Sequence, residues 1–314
     1  MLSEKIYLIE GREDVSLTTY ILDDAPEMPG GKKRGAVMIC PGGGYLGCSD
    51  REGEPVAMAF AAMGYHAFVL RYSVYNGKTG LSFRFSHDMP AREHSVFPNP
   101  MYDIGRAMLH IRKNADVWHV DAEKIAICGF SAGGHNCAMY SVSWNKPLMT
   151  AYFGVEPGAL KPAACILGYP VTDYTIMKGT TSADPIAEGL HRASKIALMG
   201  TADADDDMLV KMSPARLVDE SAPPMFIWST CEDALVPVQQ SVLMASALAA
   251  RGIPFEAHIF EKGPHGLSIA TQASSGAASE IDSDAAKWIG LCGAWLDKRF
   301  AFELPDLRDW RING

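Results

Sequence analysis

Ser131 lies in Gly129-Phe-Ser-Ala-Gly133, a G-x-S-x-G pattern that follows the apolar run 125–128. A turn of this kind between a strand and a helix lifts the serine hydroxyl clear of the sheet edge. The helix that follows directs its dipole and the free N–H of Ala132 at any negative charge formed there. A serine hydroxyl is a weak nucleophile at neutral pH and needs a base within hydrogen-bond reach. Histidine suits the task, and His265 stands in Gly263-Pro-His-Gly266, whose glycines let the ring approach Ser131. The base in turn needs an acid to hold its tautomer and stabilise its imidazolium. Glu232 and Asp233 stand side by side after the apolar run 225–228. Attack on an ester also makes an oxyanion that needs backbone donors. Pro41-Gly-Gly-Gly-Tyr45 follows the apolar run 36–40 and can bring backbone N–H groups close. No G-K-[ST] follows these glycines, which argues against a phosphate cradle.

The elements that must position these groups alternate in the βαβ rhythm of a parallel sheet. Residues 5–10 and 15–22 alternate apolar and polar, as half-buried strands do. Core strands are expected at 36–40, 66–70, 124–128, 163–168, 225–228 and 255–260. Helices are expected at 49–63, 101–114, 131–144, 238–251 and 285–300. Two stretches interrupt the rhythm. Residues 73–100 hold Phe83, Phe85, Phe97, His87 and His94 without a period, and read as a flap over the carboxyl edge of the sheet. Residues 172–212 are polar and contain glycine. Their acids at 203–207 precede Met208-Leu-Val210 and read as the start of a helix rather than a cation site. No repeat or linker divides the chain, so one domain over 1–314 is expected, with insertions near 73–100 and 172–212.

The order Ser131, Asp233, His265, each at a strand end, resembles the α/β-hydrolase triad. Within that superfamily the chain is similar to carboxylesterases and carbohydrate acetylesterases related to the hormone-sensitive-lipase group. The resemblance runs from about Ala36 to Leu296 and rests on Pro41-Gly-Gly-Gly-Tyr45, Gly129-Phe-Ser-Ala-Gly-Gly134, Asp233 with Val236-Pro237, and Gly263-Pro-His-Gly266. It implies an α/β-hydrolase fold with a mostly parallel sheet flanked by helices. It implies a serine esterase that needs no cofactor or metal. Asp233 takes the acid role over Glu232, because the Asp-x-x-Val-Pro pattern begins there. Gly43 and Gly44 join Ala132 as oxyanion donors. Pro41 departs from the related HGGG loop: it stands where a histidine usually orients the loop, and it donates nothing. Which of Gly43, Gly44 and Tyr45 donates therefore stays open.

The resemblance also implies a short acyl ester as substrate, acetyl first, extending to acetylated sugars. Tyr45, Phe83 and Phe97 are the expected substrate-contacting aromatics. Two other readings share parts of the pattern. A prolyl-oligopeptidase-type peptidase has the same elbow and triad order, with an amino-terminal propeller for which the stretch before Ala36 is short. A hydrolase-fold binding protein would have lost a triad member.

A formal net charge of −9, with no basic cluster, disfavours nucleic acid and anionic membranes as partners. No apolar run reaches the ~20 residues of a membrane span. Residues 1–10 hold no signal-length apolar run, so a cytoplasmic protein is expected. The seven cysteines are scattered and include no C-x-x-C pair, which points to buried free thiols. Composition leaves a homo-oligomer open.

Overall fold

In chain order the elements are β1 (Lys5–Ile9), β2 (Arg12–Tyr20), β3 (Arg34–Cys40), α1 (Glu54–Ala62), β4 (His66–Arg71), α2 (Asn99–Lys113), β5 (Val120–Phe130), α3 (Ala132–Ser141), α4 (Pro147–Phe153), β6 (Ala164–Gly168), α5 (Pro185–Met199), α6 (Asp206–Lys211), β7 (Met225–Thr230), α7 (Gln239–Ala250), β8 (Phe255–Phe260) and α8 (Trp288–Phe300). The computed structural model describes residues 1–25, 32–77, 89–177 and 185–301. The strands form one sheet in the order β1-β2-β4-β3-β5-β6-β7-β8. β1 and β2 pair antiparallel, as do β2 and β4, and every later pairing is parallel.

The central strands are continuous apolar runs because both faces of the sheet are covered. Met38, Ile127, Cys165 and Ile227 face one layer, with Met108 of α2, Cys137 of α3 and Met244 of α7. Ile39, Cys128, Ile166 and Phe226 face the other, with Phe60 of α1 and Trp288 and Trp295 of α8. The edge strand β8 alternates exposed and half-buried residues.

From β3 the chain crosses to β4 on one side and later to β5 on the other. The two loops that leave the carboxyl ends of β3 and β5 therefore diverge and open a crevice, the usual ligand position in such sheets. Asp233 follows β7 and His265 follows β8, so the chemical residues share one edge.

Some expectations need correction. The interruption at 172–212 contains two helices, α5 and α6. Leu190, Ala193 and Ala197 recur on the buried face of α5 at helical spacing. Asp205 caps α6 by accepting the Met208 N–H at 2.8 Å. The described part of 73–100 does not roof the crevice. It backs α5 instead: the Phe97 N–H donates to the Leu198 carbonyl at 2.8 Å and the Ser95 hydroxyl to that of Ala197 at 3.1 Å. Six of the seven cysteines are buried, Cys231 is exposed, and all are free. No helix among the described residues is long and apolar enough to cross a membrane.

Candidate active site

Ser131 is held at φ 51°, ψ −119°, a conformation that a residue with a side chain adopts only where its surroundings force it. The force is steric. A Cβ on Gly129 would lie 2.2 Å from the Gly133 carbonyl oxygen, and one on Gly133 would lie 2.0 Å from that of Cys40. Gly129 is required for the strand to turn into α3 at this radius, and Gly133 for the start of α3 to lie against the end of β3. The Ser131 N–H is fixed to the Gly168 carbonyl at 3.0 Å.

The turn brings the serine to its partners. Ser131 Oγ lies 2.8 Å from His265 Nε2, and His265 Nδ1 lies 2.6 Å from Asp233 Oδ2. Asp233 is buried, and its Oδ1 accepts the N–H groups of Leu235 at 3.0 Å and Val236 at 2.8 Å. With three donors around it, this carboxylate is oriented before any substrate arrives. A carboxylate only accepts, so Nδ1 carries the proton and Nε2 is left to accept from Ser131. Glu232, the rival acid, is exposed and accepts the Gly263 N–H at 3.2 Å instead.

Gly43, Gly44 and Ala132 border the same cavity as Ser131 and His265. Ala132 is the first residue of α3, so its N–H has no partner within the helix. Gly43 (φ 135°) and Gly44 (φ 61°) occupy backbone regions that favour glycine. The Gly42 N–H is already taken by Glu52 Oε2 at 2.7 Å.

The cavity measures about 460 Å³. Its roof comes from α5 and the segments beside it: Tyr174, Met177, Leu190, Ser194 and Ala204 lie over the crevice, with Leu235 and Val236 at one side. Leu190 and Ser194 stand over the glycine loop, 3.5 and 3.8 Å from where a Gly44 Cβ would be. Beside them, His191 lies with Nε2 2.9 Å from the Leu235 carbonyl oxygen. That oxygen only accepts, so Nε2 carries the proton and donates it. Burial lowers the pKa of this histidine.

Of the expected aromatic contacts, Tyr45 and Phe97 are not among the described residues that line this cavity. Tyr45 is buried beneath the glycine loop, and its hydroxyl lies 2.6 Å from His135 Nδ1. His135 Nε2 donates to the Met212 carbonyl at 2.8 Å, so Nδ1 accepts from Tyr45; burial pushes this histidine down to about 4. Phe97 packs half-buried against the apolar layer that holds α5. Phe83, Phe85 and His87 lie outside the described residues, and His94 does not line the cavity.

Two polar groups at the site carried no clear sequence signal. Glu52 reads as an ordinary acid at a helix start, yet it is buried beside the crevice. Tyr169 follows directly on β6, and its ring meets the His265 ring edge-on at a centroid distance of 5.0 Å. Its place at the carboxyl edge of a core strand was the available signal.

The family profile BD-FAE matches residues 30–248, more than half of the chain. This chain belongs to the BD-FAE family. Individual relatives extend the picture. It is 36% identical over 240 residues to endo-1,4-beta-xylanase B of Butyrivibrio fibrisolvens, a match that covers 76% of this chain and 33% of that protein. It is 26% identical over 250 residues to an acetylxylan esterase of Xylanibacter ruminicola, covering 78% of this chain and 43% of that protein. The chain thus spans less than half the length of these two relatives. Among solved structures, the carboxylesterase Cest-2923 from Lactobacillus plantarum superposes with a TM-score of 0.78 at 28% identity, covering 96% of this chain and all of that one. An acetyl ester-xyloside bifunctional hydrolase from Caldicellulosiruptor lactoaceticus superposes with a TM-score of 0.70 at 28% identity, covering 94% and 96%. With these kin, the BD-FAE chain is an α/β-hydrolase related to esterases, the hormone-sensitive-lipase-type carboxylesterases among them.

Proposed function

We propose that this protein hydrolyses short-chain esters, acetyl esters first, through an acyl-enzyme on Ser131, and that acetylated sugars are among its substrates. The observation that carries the reading is the unbroken hydrogen-bond chain from Ser131 Oγ through His265 to Asp233. Ser131 Oγ attacks the ester carbonyl as His265 Nε2 takes its proton. The carbonyl oxygen gains charge between the N–H groups of Gly43, Gly44 and Ala132. Collapse of the tetrahedral intermediate breaks the bond to the alcohol oxygen, which takes the proton back from His265. Water, deprotonated by the same imidazole, then attacks the acyl-enzyme; the bond to Ser131 Oγ breaks, the imidazolium returns its proton to Oγ, and the carboxylic acid leaves. Asp233 keeps Nδ1 protonated and balances the imidazolium at each step.

The substrate class draws on two supports. The relatives named for acetylxylan and acetyl ester-xyloside chemistry make an acetylated sugar the first candidate. The cavity, about 460 Å³, falls in the ~300–1,000 Å³ range of small-molecule sites and exceeds what an acetyl group alone would fill. The test is a panel of p-nitrophenyl esters of rising chain length beside acetylated xylo-oligosaccharides and amino-acid anilides. Acetate is expected to turn over faster than butanoate and much faster than octanoate, with acetate released from the oligosaccharides. A rate that climbs with chain length, or preferred cleavage of the anilides, overturns this reading.

A further inference from the structure

Glu52 takes no part in the proton transfers above, yet it sits between the two loops that carry the oxyanion donors and the base. It is 4% exposed. Its Oε2 accepts the Gly42 N–H at 2.7 Å and its Oε1 accepts the Tyr169 hydroxyl at 2.6 Å. The Tyr169 oxygen in turn accepts the N–H of Ser268, three residues past His265, at 2.9 Å. The ring of the same tyrosine packs against the His265 ring. One side chain is therefore bonded directly to the glycine loop and, through one phenol, to the histidine loop.

Both ends of this link are sterically tight. A Cβ on Gly42 would lie 2.9 Å from Glu52 Oε2, 2.9 Å from Ser131 Cβ and 2.7 Å from the Phe130 carbonyl oxygen. Gly42 is thus pressed between the elbow and Glu52, and a shift of the carboxylate shifts the residue preceding Gly43. At the other end Tyr169 (φ 36°) and Ser268 (φ 55°) hold positive φ, which costs on the order of 1–3 kcal/mol per residue unless the surroundings impose it. Removing a carboxylate from water is costly unless its oxygens are paired, and here each has a donor.

We propose that Glu52 is a positioning residue: through Gly42 it sets the Gly43 and Gly44 donors, and through Tyr169 it sets the loop of His265, keeping donors and base in register. The inference rests on the reading of Ser131 and His265 as the reacting pair. It also explains how the glycine loop is oriented with proline at position 41. The orienting bond comes from the loop beyond, to the Gly42 N–H.

The test compares Glu52→Gln, Glu52→Ala and Tyr169→Phe with Tyr65→Phe. The last variant removes a similar bond, from the Tyr65 hydroxyl to Asp297 Oδ1 at 2.7 Å, outside the cavity lining. kcat and KM on p-nitrophenyl acetate are measured per mole of Ser131 titrated to completion with an organophosphonate, so that unfolded protein does not count. A glutamine offers one acceptor oxygen where glutamate offers two. Glu52→Gln and Tyr169→Phe are expected to lower kcat by about 10–100-fold with KM within about threefold, since small misplacements of reacting groups have effects of this size. Glu52→Ala should fall further, with Glu52→Gln a partial rescue, and Tyr65→Phe should match the wild type. If kcat per titrated site stays within threefold in Glu52→Gln and Tyr169→Phe, or drops equally in Tyr65→Phe, the inference is overturned. Should the Glu52 variants fail to fold, Tyr169→Phe decides alone, because its ring packing is kept. Failure of the wild type to label at Ser131 overturns the active-site reading itself, and this inference with it.

Discussion

The floor of the cavity and its roof are built on different physical terms. The floor is the turn from β5 to α3 with the glycine loop after β3. Here backbone meets backbone at distances that exclude even a methyl group, and Ser131 is forced to φ 51°. Among the described residues, five of the six non-glycine positive-φ positions (Tyr45, Ser131, Tyr169, Ser268 and Ala270) lie in the loops at this carboxyl edge. The roof is α5 and its neighbours, where Leu190, Ser194 and Tyr174 touch the crevice through side chains. Contacts between side chains can be re-cut by substitution, whereas contacts between backbones cannot. Chemistry should therefore be invariant to changes in the roof, and selectivity should be open to them.

The largest effects are expected on the floor. Ser131→Ala and His265→Ala should each lower kcat by about 10⁴–10⁶-fold with the fold intact, because such groups act as a unit. Asp233→Asn should cost about 10⁴-fold, while Glu232→Gln should lose little. Steady-state kinetics checks this set, and a more damaging Glu232→Gln would reassign the acid. Next in size is the steric demand of the elbow. Gly133→Ala would place its Cβ 2.0 Å from one carbonyl oxygen and 2.5 Å from another. It should destabilise by more than about 4 kcal/mol, in the exceptional range for a single substitution. Gly290 in α8 has open space where a Cβ would stand, with nothing within 4 Å. Gly290→Ala should therefore stabilise by about 0.5–1 kcal/mol through helix propensity alone. Chemical denaturation of the pair measures both, and equal stabilities would remove the steric account of the floor.

That difference in construction also decides what could be read from the chain before its structure was known. The strands, the sheet edge and the positions of Ser131, Asp233 and His265 are local signals: apolar runs, glycines where backbones cross, polar residues just past a strand. Gly129 is glycine for a reason visible within five residues, the Gly133 carbonyl, whereas Gly133 is glycine because the end of β3 presses against it. The roof rests on long-range packing. The apolar spacing of Leu190, Ala193 and Ala197 was present, but polar neighbours diluted it, and the stretch read as an interruption. Tyr45 shows the opposite failure. An aromatic residue after a glycine loop suggested a substrate wall, yet the positive φ at Gly43, Gly44 and Tyr45 turns its ring down into the core, onto His135. Glu52 was illegible, since a carboxylate bonded to Gly42 and Tyr169 has the same sequence neighbourhood as one facing water.

Two buried histidines, one behind the floor and one at the opposite edge of the sheet, make a prediction about pH. His135 behind the elbow and His66 in β4 are both buried, and burial pushes each down to about 4. In the unfolded chain both return to about 6.5. Between these values the unfolded state binds more protons than the folded one, so stability falls as pH drops from about 6.5 towards 4. The two should together lose on the order of several kcal/mol by pH 4, since each tenfold difference in proton affinity between the two states is worth about 1.4 kcal/mol. Asp103, raised by burial, works in the opposite sense, gaining its proton in the folded state at a pH above the ordinary carboxylate range. Thermal unfolding followed from pH 7.5 to 4.5 checks the slope, and a flat Tm across that window would count against neutral, dry histidines at these two positions.

The smallest expected effect is the one that isolates the roof. Leu190 Cδ1 lies 3.5 Å from the position a Gly44 Cβ would take, so it stands over the loop that would receive the carbonyl oxygen. A bound ester with its oxygen against Gly43 and Gly44 is expected to place the rest of its acyl chain beneath this side chain. Leu190→Ala removes methyl groups there without touching the elbow, Asp233 or His265. Acetate turnover should stay within about threefold of the wild type. The butanoate-to-acetate ratio of kcat/KM should rise by about tenfold, the low end of what one or two methylenes contribute in an apolar pocket. The p-nitrophenyl ester series run on both proteins gives that ratio directly. If acetate turnover collapses in Leu190→Ala, the roof supports the catalytic geometry and the division between floor and roof is wrong. If acetate turnover holds and the ratio does not move, the acyl chain leaves the crevice in another direction, and Leu235 and Val236 at its side become the wall to alter next.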